Sequence, residues 1–80
     1  MAETSSARTY ATSDIWLGSY LKAKGLRLVG IEREGRRCIF VFEDRPDREQ
    51  LVLEFFNTGV VEIGPYRHAL DDLKSSVYNC

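Results

Sequence analysis

The sequence predicts an α+β domain: a small antiparallel sheet, formed by a hairpin and a short third strand, packed by three helices in the order α-β-β-α-β-α. Three observations carry this expectation. A run rich in β-branched and aromatic residues, Arg36 to Asp44, follows a second strand-like run, Leu26 to Arg33, across Glu34-Gly35. Apolar residues at three- and four-residue spacing recur on both sides of that hairpin. Finally, Val60-Val61-Glu62-Ile63 is short and β-rich, and is expected to add a third strand to an edge of the hairpin.

Taken in order, Met1 to Thr9 is small, polar and without period, and is expected to be a disordered tail before a single domain over 10–80. Thr12-Ser13-Asp14 supplies capping oxygens, with Ser13 the expected N-cap of a helix over Asp14 to Lys24. Trp16, Leu17, Tyr20 and Leu21 form its apolar stripe. Gly18 costs a helix about 1 kcal/mol relative to alanine and so marks a close crossing against the sheet. Gly25 falls where a left-handed residue ends a helix. In the hairpin, a two-residue loop at Glu34-Gly35 would set Ile31 opposite Cys38 and Val29 opposite Phe40. Val29, Ile31, Cys38, Phe40 and Phe42 then share one face, and Leu26, Leu28, Ile39 and Val41 the other. The second helix is expected from the cap at Asp44, with Pro46 in the first turn, to about Asn57, with Leu51, Val52, Phe55 and Phe56 inward. The third starts at Gly64-Pro65, its stripe being Tyr66, Leu70, Leu73 and Val77 with Ala69 beside it.

Eighty residues make one domain, and folding at this size buries only about 60–65% of the unfolded surface. Self-association is one way to make up that deficit. Net charge is −1, with eight Arg and three Lys, so no global field steers the chain toward nucleic acid or membrane. No apolar run reaches transmembrane length and no secretory signal opens the chain, which makes cytoplasmic the expected location. Two cysteines, one on a strand face and one at the last position, form neither a disulfide scaffold nor a metal cluster; Cys38 is expected to be a buried, inert hydrophobe.

Residues with chemical potential are few. His68 and Asp72 share a helical face, but two ligands do not make a zinc site. The acidic residues fall in caps, on solvated faces or in the hairpin, where Glu32 opposite Arg37 reads as a cross-strand pair. Ser13 and Ser19 have no predicted histidine nearby, and no phosphate-binding glycine loop is present. No catalytic, metal or cofactor residue, and no small-molecule ligand, is expected. The strongest polar signal is Arg33, Arg36 and Arg37 at the hairpin tip, which Arg45 and Arg48 would extend. A β-ribbon bearing arginines can enter a nucleic-acid groove. Trp16, Tyr20, Phe55 and Phe56 lie on apolar stripes and are expected in the core rather than as base-stacking platforms.

The segments Tyr10 to Gly25 (YATSDIWLGSYLKAKG), Phe40-Val41-Phe42, Leu53 to Asn57 (LEFFN) and Leu70 to Lys74 (LDDLK) resemble a family of small uncharacterised domains in bacterial and phage-related proteins. The likeness spans about residues 10 to 78 and rests on caps, core apolars and glycines. It implies a fold and no reaction. Two functions follow as expectations. One is a self-associating interaction or regulatory module, a homodimer joined through Leu28, Ile39 and Val41. The alternative is a nucleic-acid-binding module using Arg33, Arg36, Arg37, Arg45 and Arg48.

Overall fold

The computed structural model describes residues 8–57 and 59–78. Three strands, β1 (Thr9–Thr12), β2 (Leu28–Glu34) and β3 (Arg37–Glu43), form an antiparallel sheet with β3 in the centre and β1 and β2 at its edges. Three helices, α1 (Ile15–Ala23), α2 (Arg48–Asn57) and α3 (Ile63–Tyr78), complete the fold. The α+β class, with a three-stranded antiparallel sheet and three helices, is as the sequence predicts.

The third strand comes from elsewhere, so the elements run β-α-β-β-α-α. Residues 59–62 have no regular structure, and Ile63 opens α3. The free edge of β3 is taken by β1, where Tyr10 pairs with Phe42 and Thr12 with Phe40. A β-rich composition makes a strand only where a sheet edge is within reach and a face is buried. Here Val60 and Ile63 are both exposed. The expected tail ends sooner than Thr9: Thr9 is in β1 and the Arg8 carbonyl accepts from the Asp44 amide. Residues 1–7 lie outside the described residues.

Asp14, not Ser13, caps α1. Its carboxylate accepts from the amides of Trp16 and Leu17 at 2.9 and 3.3 Å. The helix ends in a Schellman motif: the Leu26 amide reaches the Leu21 carbonyl, the Gly25 amide reaches that of Lys22, and Gly25 takes a φ of +100°. Leu21 and Leu26, the apolar pair that accompanies this motif, are both buried. In α2 the first helical bond runs from the Leu51 amide to the Asp47 carbonyl, three residues later than a cap at Asp44 requires.

One core joins all the elements. Leu17 and Leu21 of α1, Leu51 of α2 and Leu73 of α3 pack on Phe40 and Phe42 of β3. All three helices therefore cover the same face of the sheet. Gly18 lets α1 lie close, since a Cβ there would stand 3.2 Å from Leu73 and 3.6 Å from Phe40. Two aromatic residues leave the predicted core: Trp16 and Phe56 are exposed, while Tyr20 is buried and Phe55 packs against its ring at 5.4 Å. Only about half of a helix circumference can face a single sheet layer, and these stripes are wider than that.

Candidate interaction face

The hairpin register decides which side chains remain uncovered. The turn is Gly35-Arg36, one residue later than predicted, with Glu34 opposite Arg37, Arg33 opposite Cys38 and Ile31 opposite Phe40. Gly35 has a φ of +64° and Arg36 does not share it, the pattern of a type II′ hairpin turn. A shift of this size changes every partner but leaves Ile31, Cys38, Phe40 and Phe42 on one face. A β-bulge between Leu28 and Gly30 then reverses the lower end of β2. Leu28 turns inward opposite Phe42 and packs on the core, and Val29 turns outward and is 49% exposed. Both sit opposite to the faces predicted for them, because strict alternation cannot anticipate the extra residue of a bulge.

The face turned away from the helices therefore centres on Ile39 and Val41. Val41 has Ala11 on one side and Gly30 on the other, and Ile39 has Glu32 as its neighbour. Glu43 and Thr9 close one end. Of the residues expected at a dimer contact, Ile39 and Val41 are on this face and Leu28 is not. An antiparallel sheet with a solvated outer face normally alternates apolar-in and polar-out. The outward positions in the middle of this sheet carry no polar side chain on β3, and β2 adds Val29.

The five arginines do not converge. Arg33, Arg36 and Arg37 lie at the hairpin tip, where the Arg33 Nε donates to the Gly35 carbonyl at 3.0 Å. Arg45 and Arg48 lie past the other end of β3, about 20 Å away at some 3.3 Å per strand residue. Both are engaged there. Arg45 makes a two-pronged pair with Asp47 at 2.8 and 2.9 Å, and this holds the Asp47 carboxyl below its ordinary value. Arg48 donates to Asp44 at 3.1 Å and stacks over the Tyr10 ring at 4.2 Å. That hydrogen bond is the largest cause lowering the Asp44 carboxyl. Arg48 thereby ties the start of α2 to β1, and Arg45 is held within the loop that leads into α2, duties that composition cannot reveal.

His68 faces Asp72 at 3.6 Å, and Lys22 of α1 approaches the same carboxylate oxygen at 3.9 Å, bringing a cation where a metal would have to sit. Among the described residues no group of three or more His, Cys, Asp or Glu is arranged to hold a metal. Ser19 is buried, its hydroxyl donating back to the Ile15 carbonyl at 2.7 Å. An open cleft of about 320 Å³ lies where β3 meets the start of α1 and the end of α3, lined by Ile15, Phe40, Val77, Ser13, Arg36 and Arg37 together with Cys38. Cys38 is only half-buried and is disulfide-bonded. The expected buried, inert thiol is therefore corrected: Cys38 is bonded, and it lines the cleft at the margin of the core instead of lying within it.

The sequence pattern also missed the corner between α2 and α3, where Leu53, Phe56, Val60 and Ile63 are exposed. The three-residue step from Leu53 to Phe56 was the available signal. No helix among the described residues is long and apolar enough to cross a membrane. In comparison with known families, residues 7–79 match Domain of unknown function (DUF5659). No curated protein and no solved structure matches.

Proposed function

We propose that this chain, which belongs to the DUF5659 family of domains of unknown function, works as a small self-associating interaction module of the cytoplasm. One observation carries the reading: Ile39 and Val41 occupy the outward positions of the central strand, flanked by Ala11, Gly30 and Val29, where a solvated sheet face would carry polar side chains. Two strands of seven residues and one of four, spaced about 4.8 Å apart, present a footprint of roughly 300 Å². A stable pairing buries about 800 Å² per partner, apolar at its centre and polar at its rim. The sheet face has the size of such a centre, and Thr9, Glu32 and Glu43 stand where its rim would begin. A second copy is the simplest occupant, because a two-fold axis lets one self-complementary face cover itself.

Light scattering at tens of micromolar tests this. Twice the chain mass is expected, and Val41→Asp should return the monomer mass with unchanged circular dichroism. A monomer across the whole concentration series overturns the reading. The nucleic-acid alternative now draws on Arg33, Arg36 and Arg37 alone, with Arg45 and Arg48 committed to carboxylates. It requires binding to duplex or single-stranded nucleic acid that weakens steeply with salt and is lost on replacing Arg36 and Arg37 together.

A further inference from the structure

We propose that two copies of this chain stack through the outer faces of their sheets with the two β3 strands antiparallel, so that Arg37 of each copy meets the partner's Glu43 and Glu34 of each copy meets the partner's Arg27. This arrangement rests on the self-association reading above, and adds to it the orientation of the pair and the charges that select it.

The outer face carries its charges in a definite order. Phe40 and Phe42 are buried in the core, so the outward positions along β3 are Arg37, Ile39, Val41 and Glu43. The apolar pair is thus bracketed by a cation at one end and an anion at the other. The neighbouring edge carries the reverse order. Glu34 stands opposite Arg37. Arg27, whose carbonyl accepts from the Glu43 amide at 2.8 Å, stands opposite Glu43. Arg27, Glu34 and Arg37 are exposed and Glu43 is half-buried. Among the described residues none of the four makes an ion pair or a side-chain hydrogen bond. Arg37 also borders the cleft, which opens at this end of β3, but its register position is on the outer face.

A two-fold axis can lay a second copy on this face in two aligned ways. An axis running across the strands over Phe40 keeps β2 on β2 and reverses the direction of β3. Ile39 then packs on the partner's Val41, Arg37 comes to the partner's Glu43, and Glu34 comes to the partner's Arg27. The symmetry repeats each pair, so both ends of the apolar row close on opposite charges. Glu32 comes over the partner's Gly30, where a missing side chain leaves room. An axis running along β3 instead sets Arg37 on Arg37 and Glu43 on Glu43. Like charges set against each other work against that register, while complementary ones favour the first. Packed sheets lie about 10 Å apart with their strands within about 30° of each other. Arg37 and Glu43 each stand about 10 Å along the strand from the axis, near enough for their long side chains to meet despite that angle.

Sedimentation equilibrium on the full chain at low ionic strength tests the orientation, with Arg37→Glu, Glu43→Arg and the two combined. The parent should be a dimer at tens of micromolar. Either single reversal should raise the dimer Kd about tenfold or more, because it turns two attractive contacts into repulsive ones, with circular dichroism unchanged. The double variant keeps the net charge of the parent and should return Kd to within about threefold of it. Arg67→Glu makes the same change of charge on an exposed position of α3 and should leave Kd unaltered. A dimeric parent that ignores both reversals, or a double variant that binds no tighter than the single ones, overturns the antiparallel arrangement and leaves self-association standing. A monomeric parent overturns both.

Discussion

Tyr20 is the residue at which packing and hydrogen bonding disagree. Its side chain is 2% exposed, its ring contacts Phe55, and its hydroxyl has no hydrogen-bond partner among the described residues. A buried, unpaired hydroxyl costs about 1–3 kcal/mol, whereas an apolar side chain of the same shape carries no such penalty. Tyr20→Phe should therefore raise the urea midpoint, with a gain of roughly 1 kcal/mol. A lowered midpoint would show that the hydroxyl is paired after all. Gly35 presents the reverse case. A Cβ there meets no atom within 4 Å, so the cost of substitution lies in the backbone, held at a φ of +64°. Gly35→Val should lose about 1–3 kcal/mol with an unchanged m-value. An unaltered midpoint would place the turn elsewhere in the hairpin.

At the scale of elements, the start of α2 is fastened to the sheet by charge. Asp44 accepts from Arg48 and from the Arg45 amide, and Arg48 covers the Tyr10 ring of β1. Because the folded-state carboxyl of Asp44 is depressed, chiefly by the Arg48 hydrogen bond, its contribution is fully present above the ordinary carboxylate range near pH 4. The contribution is lost as pH falls below that range and through the folded value. Asp44→Asn should cost about 0.5–1 kcal/mol at pH 7, the range for a partly exposed pair. The gap between variant and parent should close on titration to pH 2–3. A constant gap over that span would mean that Asp44 acts through packing and not through its charge. The bulge at Leu28–Gly30 matters as much, because it moves Val29 onto the outer face and Leu28 into the core.

For the whole molecule, the decisive feature is that three helices share one side of a three-stranded sheet. The core is correspondingly thin, and the other side holds the apolar row that would join two copies. If two chains pair there, thermal midpoints must rise with protein concentration, since association stabilises the folded form by mass action. Val41→Asp should remove that dependence.

What the sequence determined by itself was local: the three helices and the end of α2 at Asn57, the stop at Gly25, the hairpin with a glycine turn, and the Leu17, Leu21, Leu73 and Phe40 core. Each follows from periodicity or from a residue with a special backbone, and such signals act over a few positions. Only the tertiary structure decided the rest. Thr9–Thr12 became the third strand in place of the more β-rich Val60–Ile63 because strand pairing depends on which segment meets the free edge of β3. Arg45 and Arg48 left the arginine group because Asp44, Asp47 and Tyr10 claimed them in space. Leu28 and Val29 exchanged faces because one extra residue in β2 reverses alternation. The place of Cys38 at a cleft was illegible for the same reason: how far the helices cover β3 is set by how they stack, and spacing along the chain carries no record of it.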